Sequence, residues 1–209
     1  MTFRKNIVKL VFLVAPAFSF VSVSAQDELA LAEIAEHRKK QELEFRDPDK
    51  SPLDQKDLKK FKGLKYYAPN LKYRVTATFI KNENPVLFKM KTSTTRLPSY
   101  QKYGEVLFSI DSQDFVLEVY QSPDLMKMAG FEDHLFIPFT DKTNGNETYD
   151  VGRYLELRIP TSDKVIVDFN QCYNPYCSYS PRFSCPIPPA ANSLPIEIKA
   201  GEKKYKEHH

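Results

Sequence analysis

Residues 139–189 read FTDKTNGNETYDVGRYLELRIPTSDKVIVDFNQCYNPYCSYSPRFSCPIPP. This segment contains all three cysteines of the chain and a dense set of polar and tyrosine side chains. Tyr154 to Ile159 and Val165 to Asn170 alternate apolar and polar residues, which is typical of half-buried strands. The segment therefore predicts β structure that carries most of the polar chemistry of the chain.

A short polar loop separates the two predicted strands, so we expect them to form an antiparallel hairpin. In the register that pairs apolar with apolar residues, Glu156 lies directly opposite Asp168. Two carboxylates in this position repel each other, and we expect Arg153, Arg158, a bound cation or a proton to offset them. The other face of the hairpin should join the core through Leu155, Leu157, Ile159, Val165, Val167 and Phe169.

Alternating apolar residues recur upstream, which predicts further strands at 73–79, 86–91, 104–110, 115–120 and 135–139. Frequent short strands with proline-rich loops favour a mainly β fold, and we predict a mostly antiparallel β-sandwich or open barrel. One N-terminal α-helix should precede it, because residues 26–46 are rich in strong helix formers and lack glycine and proline.

The chain divides into four predicted parts. Residues 1–25 show a basic start, an apolar run and small residues up to Ala25, the pattern of a signal peptide cleaved after Ala25. The helix follows at 26–49, then a lysine-rich connector at 50–72 that packs on the domain, and the β domain at 73–209. The apolar run is too short to span a bilayer. We therefore expect a periplasmic or secreted protein without integral membrane association.

Composition and motifs exclude several classes of function. The chain carries a net charge of +3, but Arg4, Lys5 and Lys9 of the leader account for it, so the mature chain lacks the basic footprint of a nucleic-acid-binding protein. None of the six glycines has the spacing of a phosphate or dinucleotide loop. HExxH and GxSxG motifs are also absent from the sequence. We predict no cofactor and no metal site, and we expect His134 to be a packed or rim histidine.

A set of short motifs in the 139–189 segment forms a recognisable pattern. Its residues are Asp141, Thr143, Asn144, Gly145, Thr148, Tyr149, Gly152-Arg153-Tyr154, Asp168-Phe169-Asn170, Tyr173-Asn174-Pro175, Cys177 and Cys185-Pro186. The pattern resembles the signature of a bacterial and archaeal family known only as a domain of unknown function, DUF1684. A weaker likeness extends to Ser51-Pro52-Leu53 and Phe61-Lys62-Gly63-Leu64. The resemblance covers most of the mature chain and implies no particular activity.

Two functions remain open at this point. One is a non-catalytic ligand-binding or scaffold domain of the cell envelope, whose partner is an unknown small molecule or envelope component. The other is a hydrolase-like enzyme in which Glu156 and Asp168 act as an acid and base pair. A concave cavity containing both carboxylates would favour the enzyme, and an open or arginine-filled face would favour the binding domain. The expected ligand-binding residues are Asp141, Thr143, Tyr149, Arg153, Tyr154, Asn170, Tyr173 and Asn174.

The cysteines suggest one covalent link. Cys177 and Cys185 are separated by seven residues of a proline-rich segment, and in an exported protein such a pair predicts a disulfide. Cys172 is left over. We expect it to be a buried, inert thiol, because no histidine nearby in sequence could serve as its base.

Overall fold

The computed structural model describes residues 24–205 of the chain. Residues 1–23, most of the predicted signal peptide, lie outside the described residues. Helix α1 spans Ala25–Arg46 and confirms the predicted N-terminal helix. Ser24 caps it by accepting a hydrogen bond from the Asp27 amide, while the Asp27 side chain accepts one from the Ser24 amide. Cleavage after Ala25 would remove this cap and start the mature helix at Gln26.

Within residues 24–205, seven strands form a sheet in which every paired neighbour is antiparallel. Their bounds are β1 Arg74–Lys81, β2 Leu87–Lys89, β3 Ser99–Ile110, β4 Gln113–Gln121, β5 His134–Phe139, β6 Arg153–Arg158 and β7 Lys164–Asp168. The hydrogen-bonded order is β6-β5-β4-β3-β1-β7, and β2 pairs with β3. The sheet curls into a half-barrel, which confirms the mainly β, mostly antiparallel fold.

The predicted hairpin of β6 with β7 is wrong. Strand β6 pairs with β5, which places Glu156 opposite Phe136. Strand β7 pairs with β1, which places Asp168 opposite Arg74. A period of two determines which face a side chain occupies, but it does not identify the neighbouring strand. Asp168 thus faces an opposite charge across the strand pair, and the expected repulsion between two directly paired carboxylates does not arise.

The face assignments of the two strands are nevertheless largely correct. Leu155, Val167 and Phe169 are buried in the main core, and Leu157 and Val165 pack against it while remaining partly exposed. Ile159 is the exception, because it follows the end of β6 and is 37% exposed. Alternation therefore predicted the buried face of these strands.

The two faces of the sheet bury different kinds of side chain. One face carries the main core, which includes Leu117, Ile137 and Phe169. The opposite face carries Tyr120, Phe136 and Tyr154, which pack against aromatic and cysteine side chains from residues 173–185. This second, aromatic face adjoins the candidate site.

Helix α1 is fixed to the rest of the molecule by its own buried side chains. Ile34 is fully buried, and Phe45 forms a cluster with Leu53 and Phe61 of the connector and with Tyr179. A short helix, α2 (Gln55–Leu58), lies within the connector. In the described part of the chain, no helix combines the length and apolar character needed to cross a membrane.

Candidate functional site

A cleft lies between strands β6 and β7, and side chains of α1 form part of its wall. It consists of two adjoining cavities. The polar cavity, of about 380 Å³, is lined by residues of α1, β1, β6 and β7. The aromatic cavity, of about 590 Å³, is lined by α1, the second face of the sheet and residues 173–186. Both cavities are lined by His37, Glu156, Arg158 and Tyr173, which therefore mark the junction.

Asp168 lies on the wall of the polar cavity and is fully engaged. Its Oδ2 accepts a hydrogen bond from Arg74 Nη1 at 2.8 Å, and its Oδ1 accepts from the backbone and side-chain amides of Asn170 at 2.9 and 2.8 Å. The side chain is 5% exposed. Arg74 also binds Glu33 of α1 at 2.6 Å. The partner of Asp168 is therefore Arg74 rather than Arg153 or Arg158, and the arrangement fastens α1, β1 and β7 together.

Glu156 is the carboxylate that remains open to the cleft. Its side chain is 48% exposed, and its Oε1 accepts a hydrogen bond from the Tyr173 hydroxyl at 2.5 Å. Nε2 of His134 lies 3.4 Å from the same oxygen. Burial alone raises the pKa of Glu156, but His134 and the Tyr173 hydroxyl outweigh it and hold the pKa below the usual value. Glu156 is therefore ionised at neutral pH.

Two histidines direct polar atoms into this region. Nε2 of His37 is buried and has no hydrogen-bond partner within residues 24–205, and Nε2 of His134 is buried with only the Glu156 carboxylate near it, at 3.4 Å. Burial lowers the pKa of His37, and a hydrogen bond with the Gln171 backbone only partly opposes the shift. The His37 ring is therefore neutral at pH 7 and can take part in one further hydrogen bond through Nε2.

The aromatic cavity has a wall of packed rings. Phe136 and Tyr154 meet edge to face with centroids 4.7 Å apart, and Tyr154 meets Tyr173 in the same manner at 5.8 Å. The Tyr154 hydroxyl donates to the Pro186 carbonyl at 2.5 Å. Further rings come from Tyr100, Phe131, Tyr176 and Phe183. These side chains provide flat apolar surface beside the polar junction.

The Asp141 and Arg153 side chains lie elsewhere, in a network that holds the C-terminal segment. Arg153 Nη2 binds Asp141 Oδ2 at 2.7 Å, with both side chains 0% exposed. The guanidinium also donates to the carbonyls of Ile198 and Ala200. Oδ1 of Asp141 accepts from the amide and hydroxyl of Thr143 at 2.8 and 2.6 Å. These three predicted ligand-binding residues thus stabilise the fold and do not line the cleft.

The remaining predicted residues are divided between the cleft and its surroundings. Tyr154, Tyr173 and Asn174 line the aromatic cavity. Asn170 exchanges hydrogen bonds with the backbone of Asn70 at 2.8 and 2.9 Å and anchors the connector. The Tyr149 hydroxyl lies 3.7 Å from the sulfur of Cys177. The structure therefore gathers Glu156 with Tyr154, Tyr173 and Asn174, and it places Asn170 and Tyr149 outside the lining.

Glu202 is a buried acid on the floor of the aromatic cavity. It is 1% exposed, and its Oε2 accepts from the Asn174 amide at 2.9 Å while the Tyr179 hydroxyl donates to its Oε1. Burial raises the pKa of Glu202 to about 7, although the hydrogen bonds from Tyr179 and Asn174 oppose the shift.

The predicted disulfide is not formed in the structure, where all three cysteines are free thiols. Cys177 and Cys185 are nevertheless neighbours, because the amide of Cys177 donates to the sulfur of Cys185 at 3.1 Å. Cys172 is 0% exposed and packs so closely on Gly201 that a Cβ at residue 201 would overlap its sulfur. Burial raises the pKa of Cys172 to about 11.

Sequence reasoning missed several residues of the site. His37 belongs to a helix whose apolar stripe gave no reason to single it out, and Glu202 belongs to a polar C-terminal segment without a motif. His134 begins β5, whose other residues are all apolar, and we expected it to be a packed or rim histidine. Only the docking of α1 and of the C-terminal segment brings these side chains together.

Comparison with known proteins gives a family and a structural relative. The family model described as "Protein of unknown function (DUF1684)" matches residues 59–203. An uncharacterized protein of Haloarcula marismortui, solved by solution NMR, is 34% identical. The likeness covers 88% of this chain and 98% of that one, with a TM-score of 0.69. No match is found among curated proteins.

Proposed function

Since the chain belongs to the DUF1684 family, which is described as being of unknown function, we propose a function from the cleft itself. The protein is a non-catalytic binding domain of the cell envelope that holds one small molecule between β6, β7 and α1. The ligand has a flat apolar part that packs on the aromatic wall. Its polar end bonds with Glu156 and the neighbouring imidazoles.

The unpartnered imidazole nitrogen of His37 carries this proposal. Buried polar atoms without a partner are rare in folded proteins, and each one costs about 1–3 kcal/mol. Nε2 of His37 is such an atom among the described residues, while Nε2 of His134 has only its 3.4 Å contact with Glu156, and both rings line the aromatic cavity. A bound molecule with a hydrogen-bonding group would satisfy Nε2 of His37. A concave, largely aromatic site with a few converging polar groups is the usual form of a small-molecule site.

A hydrolase-like enzyme is the second candidate, because the polar cavity contains both Glu156 and Asp168. However, both oxygens of Asp168 are occupied by Arg74 and Asn170. Neither oxygen of Asp168 is therefore left free to contact a substrate. Binding without turnover therefore accounts better for the geometry.

The proposal also includes export of the protein and oxidation of two of its cysteines. Residues 1–25 act as a signal peptide, and the mature protein works in the periplasm or outside the cell, where Cys177 and Cys185 form a disulfide. The predicted leader and the 3.1 Å approach of the Cys177 amide to the Cys185 sulfur support this part.

Thermal-shift screening tests the binding function. The purified mature protein is screened against sugars, nucleotides, amines, amino acids, divalent metals and peptidoglycan fragments. We expect at least one organic compound to raise the Tm, and the increase to be lost in Glu156→Gln. The matched control is Glu83→Gln, at an exposed position in the loop between β1 and β2, which should keep the increase. A screen without any stabilising compound contradicts the binding function. Conversion of a bound compound that stops in Asp168→Asn would favour the hydrolase.

A further inference from the structure

We propose that the cleft binds an aryl-alkyl ammonium compound, which is an aromatic ring with a short chain that ends in a protonated amine. This inference rests on the proposed function and adds the charge and shape of the ligand. It follows from the rings, the charges and the hydrogen-bond acceptors around the junction.

The rings of the aromatic cavity suit both ends of such a molecule. Phe136 and Tyr154 stand at 79° to each other, and Tyr154 and Tyr173 at 89°, so neighbouring rings form corners of the wall. Tyr176 and Phe183 add a further pair with centroids 5.2 Å apart. Aromatic rings pack against a flat ligand ring. Their negative faces also attract a cation within about 6 Å of the centroid.

The charges around the two cavities favour a cation. Five acidic side chains line them, of which Glu202 is only partly ionised at pH 7 because burial raises its pKa to about 7: Glu33, Glu44, Glu156, Asp168 and Glu202. The three basic side chains are Lys40, Arg74 and Arg158. Arg74 binds two of the five acids, Glu33 and Asp168, and Arg158 binds Asp133 outside the lining at 2.7 Å, so the acidic side chains remain in excess. A ligand at the junction therefore experiences a net negative field.

The hydrogen-bonding groups at the junction suit a primary ammonium. Glu156 presents a half-exposed carboxylate, which Nε2 of His134 approaches to 3.4 Å. Nε2 of His37 is buried without a hydrogen-bond partner. An ammonium has three donors and no acceptor, so it can bond with the carboxylate and an imidazole together. Bonds between ionised partners of this kind are about twice as strong as neutral ones. An anionic ligand would instead be repelled by Glu156.

Three probes with the same ring separate charge from shape: phenethylamine, 2-phenylethanol and 3-phenylpropionate. Calorimetric titration into the purified mature protein at pH 7 should show binding of phenethylamine. One charge-assisted hydrogen bond predicts at least about tenfold weaker binding of 2-phenylethanol. We expect no measurable binding of 3-phenylpropionate. In Glu156→Gln the preference for the amine over the alcohol should disappear, whereas Glu83→Gln should keep it.

The outcomes separate the ligand class from the binding function itself. Equal binding of the amine and the alcohol, tighter binding of the carboxylate, or no binding of any probe overturns the ammonium proposal. In each of these cases the cleft remains a binding site if the wider thermal-shift screen gives a compound that depends on Glu156. Because Glu156 is half-exposed, its glutamine variant should fold. An unchanged circular dichroism melt of the unliganded variant verifies this.

Discussion

Two ion pairs of strand β6 show how burial changes the contribution of an arginine to stability. Arg153 binds Asp141 at 2.7 Å, and Arg158 binds Asp133 at the same distance. The first pair is 0% exposed on both sides, whereas Arg158 and Asp133 are 56% and 52% exposed. Removing one partner of a buried pair leaves an uncompensated buried charge, which destabilises the fold. Water screens the charges of an exposed pair, so that pair contributes little to stability.

We therefore predict different effects of the same substitution at the two sites. Arg153→Met should lower the free energy of unfolding by about 3–5 kcal/mol. The matched control, Arg158→Met, should change it by only about 0–1 kcal/mol. Urea unfolding of the two variants measures both values. Similar losses in both variants would mean that Arg153 does not hold the C-terminal segment in place.

The three thiols should differ sharply in reactivity after reduction. Hydrogen bonding from Cys185 and Tyr149 lowers the pKa of Cys177 to about 6, despite desolvation, so its thiolate predominates at pH 7. Burial raises the pKa of Cys172 to about 11. We expect iodoacetamide to label Cys177 first and Cys172 only after unfolding, as measured by peptide mass spectrometry. In unreduced exported protein, Cys177 and Cys185 should be linked and unlabelled. A disulfide that includes Cys172 would contradict this assignment.

At the scale of elements, alternation of apolar and polar residues predicted the strands, and a run of strong helix formers predicted the helix, because both signals are local in sequence. It could not predict pairing, because β6 and β7 have similar patterns and each fits several neighbours. The partner of Asp168 was missed for this reason: Arg74 is distant in sequence and directly opposite in the sheet. For the site, alternation placed Glu156 and Tyr154 on the polar face. The docking of α1, which brings His37 to them, has no sequence motif.

A substitution of Asp168 tests how much its bonds with Arg74 and Asn170 stabilise the packing of α1, β1 and β7. Asp168→Asn removes the charge that binds Arg74 and leaves that guanidinium, 20% exposed, with Glu33 alone. We expect a loss of about 1–3 kcal/mol in the free energy of unfolding. Asp124→Asn is the control, because Asp124 is 76% exposed and pairs with an exposed lysine. Chemical denaturation compares the variants. An unchanged stability would mean that the bond between Asp168 and Arg74 does not help to hold α1, β1 and β7 together.

At the scale of the whole molecule, the C-terminal segment ties the parts together. Its backbone accepts hydrogen bonds from Arg153 of β6 and from the Tyr67 amide of the connector. Its Glu202 side chain binds Asn174 and Tyr179. These contacts join residues far apart in the chain, so no local sequence pattern predicts them. The stability that these contacts provide should depend on pH, because the buried carboxyl of Glu202 has a pKa of about 7.

Glu202 gives the last prediction, which concerns the pH dependence of stability. Its pKa is about 7 in the folded protein, whereas a glutamate in the unfolded chain has a pKa of about 4.3. Between these values the folded state binds more protons, so the free energy of unfolding falls as the pH rises and levels off above about pH 7. The contribution is on the order of 4 kcal/mol at about 1.4 kcal/mol per pKa unit. Urea unfolding from pH 4.5 to 8 should show this fall in the wild type and in Glu83→Gln. It should be absent from Glu202→Gln, and an equal fall in that variant would assign the titration to another group.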